Sequence, residues 1–125
     1  MEIHIKDYKE LLALHKSLMA AKFDDPAYRN ELQGSSFTAS LANKAFNLLV
    51  STCNEENNYK EVKEWLEWQQ ADITRPETKL LIKRIQENKN WWAEADEKLK
   101  SKYITNFMAP LLLKTELERE IIESH

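Results

Sequence analysis

At 125 residues, 42% apolar with twelve aromatic side chains, the chain is long enough for one domain that buries about two thirds of the surface its unfolded form would expose. Eighteen basic against twenty-one acidic side chains leave a net charge of −3, which excludes a polyanion mimic and a strongly basic nucleic-acid binder. One glycine and three prolines, against roughly 12% combined in an average protein, leave hairpin turns almost without residues that take positive φ, so the expected class is all-α.

Asp7-Tyr8-Lys9-Glu10 has capping-box spacing: the Asp7 carboxylate can accept from an early backbone N–H while Glu10 reaches back, so a first helix should begin there. Tyr8, Leu11, Leu12, His15, Leu18 and Met19 form its apolar side, which fades near Lys22 and Phe23. Asp24-Asp25-Pro26 is an acidic cap followed by proline at the first helical position. The short helix it opens should close at Gly34, the only glycine, in the left-handed conformation.

Ser35 or Ser36 then caps residues 37–53, the stretch around which the rest is organised, whose only charge is Lys44. Phe37, Leu41, Ala45 and Leu48 form one apolar row, and Ala42, Phe46, Leu49 and Cys53 an adjoining one. Two rows make a stripe too wide for a surface helix, so a largely buried central helix is expected. After the polar run 54–58, Asn58-Tyr59-Lys60-Glu61 repeats the cap-plus-glutamate spacing. Tyr59, Val62, Leu66, Gln69 and Ile73 should carry the inner row of the helix it opens, with Trp65 closing its edge. Thr74-Arg75-Pro76-Glu77 restarts the chain, and Leu81, Ile82 and Ile85 carry the following helix.

Residues 88–90 break it. From Trp91 a single stripe of Trp92, Ala95, Leu99, Tyr103 and Asn106 or Phe107 is expected, supported by Glu94–Lys98 and Asp96–Lys100 pairs worth about 0.3 kcal/mol each. Pro110 should interrupt the chain before a terminal helix over 111–122 built on Leu113, Leu117 and Ile121. The expectation is one all-α domain over 1–125, with five main helices and one short one in a bundle or a stack of antiparallel hairpins.

The chemistry-bearing residues are sparse. Neither a His pair at helical spacing nor a His–carboxylate set at zinc-ligand spacing occurs among His4, His15 and His125. Glycine-rich phosphate loops cannot be built with one glycine. The lone Cys53 rules out an intrachain disulfide; a Cys53–His15 nucleophile pair lacks a neighbouring cation to lower the thiol pKa. The sequence therefore points away from an enzyme, with no cofactor and no metal expected. The segment MEIHIKDYK is charged from its second residue, and no apolar run approaches the roughly 20 residues that span a bilayer, so a cytoplasmic, membrane-free protein is expected.

Three features remain for binding. Residues 55–72 hold six carboxylates against Lys60 and Lys63, a net charge of −4, and place Glu61, Glu64 and Glu67 around Trp68. Tryptophan concentrates binding energy and carboxylates steer a basic partner; the plainer reading is that Trp68 caps a second core seam between helices while the carboxylates solvate the outside. The central helix carries an uncharged polar row, Ser36, Ser40, Asn43, Asn47 and Ser51 or Asn54, which either lines a groove for a partner or bonds neighbouring helices inside. Arg75, Lys79, Lys83 and Arg84 precede Trp91-Trp92, the composition of a single-strand nucleic-acid surface, although the tryptophan pair reads first as a core wedge with at least one ring buried where its helix begins.

The leading expectation is a non-catalytic module that binds a basic protein through Glu61, Glu64, Glu67, Trp68, Asn43 and Asn47, in the manner of an immunity protein that blocks a toxin nuclease. The alternatives are a nucleic-acid-associated regulator using the basic helix, or an oligomeric adaptor whose terminal helix packs on another copy. A bundle that binds a small molecule among its tryptophans also stays open.

Overall fold

The computed structural model describes residues 1–24 and 31–125 and the backbone of residue 30. The cap expected at Asp7 is formed, with its Oδ1 accepting from the Glu10 N–H at 2.9 Å, while Glu10 Oε1 reaches back one residue beyond the cap to accept from the Lys6 N–H at 3.2 Å. It opens α1, Tyr8–Phe23. Asp25 and Pro26, the expected opening of the short helix, lie outside the described residues; α2 is described over Asn30–Gln33. Gly34 follows without positive φ, contrary to the expected left-handed ending. What requires glycine there is space, since a Cβ would lie 3.0 Å from Cε2 of Tyr103.

Ser35 Oγ accepts from the Phe37 and Thr38 N–H groups at 3.2 and 3.3 Å and opens α3, Ser36–Glu55. The left-handed residue is Asn57, at φ 59°. It lets the Asn58 N–H reach the Cys53 carbonyl at 2.8 Å and the Asn57 N–H reach Asn54 at 3.1 Å, which satisfies the last carbonyls of α3. Asn58 then caps α4, Tyr59–Gln69.

Past α4, the pair Gln70–Ala71 (β1) lies parallel to Leu112–Leu113 (β2), in register Gln70 with Leu112 and Ala71 with Leu113. This two-residue pairing was not expected; it ties the exit of α4 to the chain beyond Pro110, where Gln69 Nε2 donates to the Pro110 carbonyl at 2.9 Å. Pro76 takes the first position of α5, Pro76–Glu87.

The single helix expected from Trp91 is two: α6, Lys89–Glu94, and α7, Glu97–Met108. Asp96 divides them by accepting from the Leu99 N–H at 2.8 Å, so it acts as a cap and the Glu94–Lys98 pair straddles a break. A short acid that can bond backbone competes with helix continuation, and here it wins. After the cis Ala109–Pro110 bond and β2 comes α8, Thr115–Ser124.

The class is all-α, with six helices of ten residues or more and two short ones among the described residues, against the five and one expected. A seam of His15, Phe46, Trp65 and Trp68 joins α1, α3 and α4. The second core, Leu81, Ile85, Trp92, Ile104, Phe107, Met108, Leu111 and Ile121, joins α5 to α8. Trp68 also packs against this second core and so bridges the two. No described helix is long and apolar enough to cross a membrane.

Candidate functional site

On α4 the ring contacts to α1 and α3 are made by Trp65 and Trp68; Val62 is half-buried as expected of the inner row, while Leu66 is exposed. Trp68 stacks on Phe46 at a centroid separation of 5.8 Å and meets His15 edge-on at 5.1 Å. The Arg75 guanidinium covers it at 5.0 Å, donates to the Trp68 and Gln70 carbonyls, and pairs with Glu77 at 2.6 Å. Trp68 is therefore a seam residue, which corrects its expected place on the partner surface. Glu61 is corrected too: its Oε2 accepts from Asn58 Nδ2 at 2.8 Å and lies 3.5 Å from Cys53 Sγ, inside the turn it helps to cap. Glu64 and Glu67 are exposed, as expected; Glu67 meets Lys63 at 3.9 Å with both side chains largely in water.

The larger surprise is α3. Its second row, Ala42, Phe46, Leu49 and Cys53, is buried, together with Ala45. The rest of its first row is not: Phe37 is 83% exposed, Leu41 52% and Leu48 45%. That row stands about 120° around the helix from the buried one, beyond the reach of α1 and α4. The expected largely buried helix is thus half-buried. Its uncharged polar row is exposed as well: Ser36, Ser40, Asn43 and Asn47 all face solvent, which overturns the interior hydrogen-bonding alternative. Neither the Asn43 nor the Asn47 side chain makes a hydrogen bond among the described residues. The outer side of α3 is consequently a helical surface of Phe, Leu, Ser and Asn with Lys44 as its one charge before Glu55.

The two competing surfaces are depleted. Of the basic row, Arg75 is engaged at the end of α4, and Arg84 is buried with Nε donating to Gln33 Oε1 at 2.9 Å and Nη1 on Glu87. Lys79 and Lys83 remain at the surface. The apolar stripe of α8 is spent inside its own chain, since Ile121 is buried and Leu117 and Ile122 pack against the second core.

The titratable groups of the interior are structural in their surroundings. His15 is buried among Phe46, Trp65 and Trp68, its Nδ1 without a partner among the described residues, and burial with nearby Lys16 lowers its pKa. Burial raises the Cys53 thiol, which lies 3.8 Å from the Tyr8 hydroxyl. Lys22 is fully buried; its Nζ donates to the Asn106 carbonyl at 2.5 Å, and burial depresses its pKa to about 8.

One cleft of about 540 Å³ opens where the segment 31–34, the end of α5, α6 and α7 meet. Trp91, Trp92 and Tyr103 form its aromatic side, and Glu31, Glu87 and Arg84 its charged side. Sequence reading placed the two tryptophans together as a core wedge, and Trp92 is buried as that reading requires. Tyr103 was assigned only to the inner stripe, because the approach of Gly34 to its ring leaves no local sequence signal. No family model, curated protein or solved structure matches the chain.

Proposed function

We propose that this protein works by binding a basic protein partner across the outer side of α3, and that the bound partner is thereby neutralised, as an immunity protein blocks a toxin nuclease. The observation that carries this reading is the exposed row Phe37, Leu41 and Leu48 on a helix face with a single charge. Covering these three side chains would yield on the order of 4 kcal/mol from apolar burial. That does not meet the cost of association alone, so the row needs its surroundings. Asn43 and Asn47 supply unengaged amides beside it, and Glu55, Glu56, Glu64 and Glu67 supply exposed carboxylates toward its C-terminal end and on α4. A basic surface would be steered onto such a border and held by the apolar centre.

The test compares wild-type bait with a Phe37→Ser/Leu41→Ser/Leu48→Ser variant in lysate of the source cell, at low and high salt, with mass spectrometry and a nuclease assay of what is retained. One basic nuclease held stoichiometrically, weakened by salt and at least about tenfold less retained by the variant, supports the reading. Equal retention by the variant overturns the assigned face. A retained partner without nuclease activity overturns the neutralising version. Self-association lost in the variant would turn the face into a contact between copies and overturn the partner reading.

A further inference from the structure

We infer that the cleft between α6, α7 and the segment 31–34 binds a free, uncharged, planar heteroaromatic ring, stacked on Trp91 and hydrogen-bonded to Tyr103. The charges of the cleft are spent within the chain. Buried Arg84 donates from Nε to Gln33 Oε1 at 2.9 Å and from Nη1 to both oxygens of Glu87 at 3.2 and 3.3 Å. Glu31, though exposed, is engaged as well. A charged ligand of either sign would compete with pairs that the fold already makes, whereas an uncharged one leaves them intact. The volume of about 540 Å³ lies in the range of small-molecule sites.

What the cleft leaves unengaged is aromatic surface and hydrogen-bonding atoms. Trp91 is 43% exposed in its wall. Lys100 Nζ sits over the buried Trp92 ring at 5.3 Å, so stacking falls to Trp91. Tyr103 is held by Trp91 at 5.4 Å, Phe107 at 5.9 Å and Trp92 at 6.2 Å, and by the close approach of Gly34. Its ring is fixed before any ligand arrives, which removes an ordering cost from binding. The Tyr103 hydroxyl has no hydrogen-bond partner among the described residues. Burial raises its pKa, and Arg84 and Glu87 act on it with opposite signs, which sets the oxygen toward the charged side of the same cleft. Trp92 Nε1, in the same wall, is a buried donor also without a partner among the described residues. Unpaired polar atoms beside flat aromatic surface favour a ring that carries its own donors and acceptors. The basic row that would follow a phosphate backbone has lost Arg75 and Arg84 to contacts inside the chain, which favours a free ring over one in a strand.

None of these residues belongs to the exposed row of α3, so the two proposals stand or fall separately. Purified protein is titrated with adenine and with nicotinamide, and separately with cyclohexanecarboxamide, which hydrogen-bonds but is not flat. Calorimetry and the indole N–H resonances report binding. Saturable binding of adenine or nicotinamide that shifts the Trp91 and Trp92 resonances is expected, with cyclohexanecarboxamide inert. Trp91→Ala should weaken the binding at least about fivefold. Tyr103→Phe, which keeps the ring and removes only the hydroxyl, should weaken it about threefold. No saturable binding of either ring, equal binding of cyclohexanecarboxamide, or affinities unchanged in both variants would overturn the proposal. A short oligodeoxyadenylate bound far more tightly than adenine, with an affinity that falls as salt is added, would overturn the free-ring reading.

Discussion

At the scale of single residues, the seam around His15 separates side chains that hold the fold from those that stand in water. Trp68 contacts Phe46, His15, Trp65 and Arg75, so Trp68→Ala should cost about 3 kcal/mol in urea unfolding. Glu64→Gln and Glu67→Gln stand in water and should each stay within about 0.5 kcal/mol. A reversed order would mean that the tryptophan is not part of the seam. His15 sets the acid limit. Burial lowers its pKa below 6.5, so the unfolded chain takes up a proton that the folded chain resists. Its stabilising effect is complete above pH 6.5 and is lost as pH falls below that value, at up to about 1.4 kcal/mol per pH unit. Unfolding free energies measured from pH 7 down to 5 should show this decline, and His15→Leu should flatten it; the same slope in both proteins would contradict the assignment.

At the scale of elements, the helix starts were the most legible features. The caps at Asp7 and Asn58 rest on local side-chain chemistry and form where they were expected, and of the two serines read as candidates for the central helix Ser35 is the cap. Endings were less legible because they depend on what the next element does. Gly34 was read as a left-handed stop, but its need for glycine comes from Tyr103, some seventy residues away. Asn57 carries the left-handed conformation instead. Asn57→Ala should therefore destabilise by about 1 kcal/mol while Asn57→Gly stays within about 0.5, with circular dichroism melts as the measure. Both lose the bond from the Tyr59 hydroxyl, so their difference isolates the backbone term. Equal effects would place the cost in that bond. The division at Asp96 and the β1–β2 pairing were hidden for a related reason: one was masked by a good helical stripe, the other joins segments forty residues apart.

At the scale of the whole molecule, the class followed from composition, while the candidate surface required knowing which side of α3 the other helices cover. Periodicity recorded two apolar rows without saying that the fold has neighbours for only one of them. That is also why Trp68 and Glu61 were assigned to a surface and Phe37, Leu41 and Leu48 to a core. For Asn43 and Asn47 the uncharged row left an exposed and an interior placement open, and the fold decides it, because both stand in water. The proposal that the molecule binds a protein partner rests on the outer row of α3 contributing to binding and not to folding. The most direct measurement is calorimetric titration of the retained basic protein into wild type and into the Phe37→Ser/Leu41→Ser/Leu48→Ser variant, with the unfolding free energy of each determined in the same buffer. We predict an affinity loss of at least about tenfold with a stability change below about 1 kcal/mol. Unchanged affinity, or a stability loss of several kcal/mol that accounts for the weaker binding, would contradict the account.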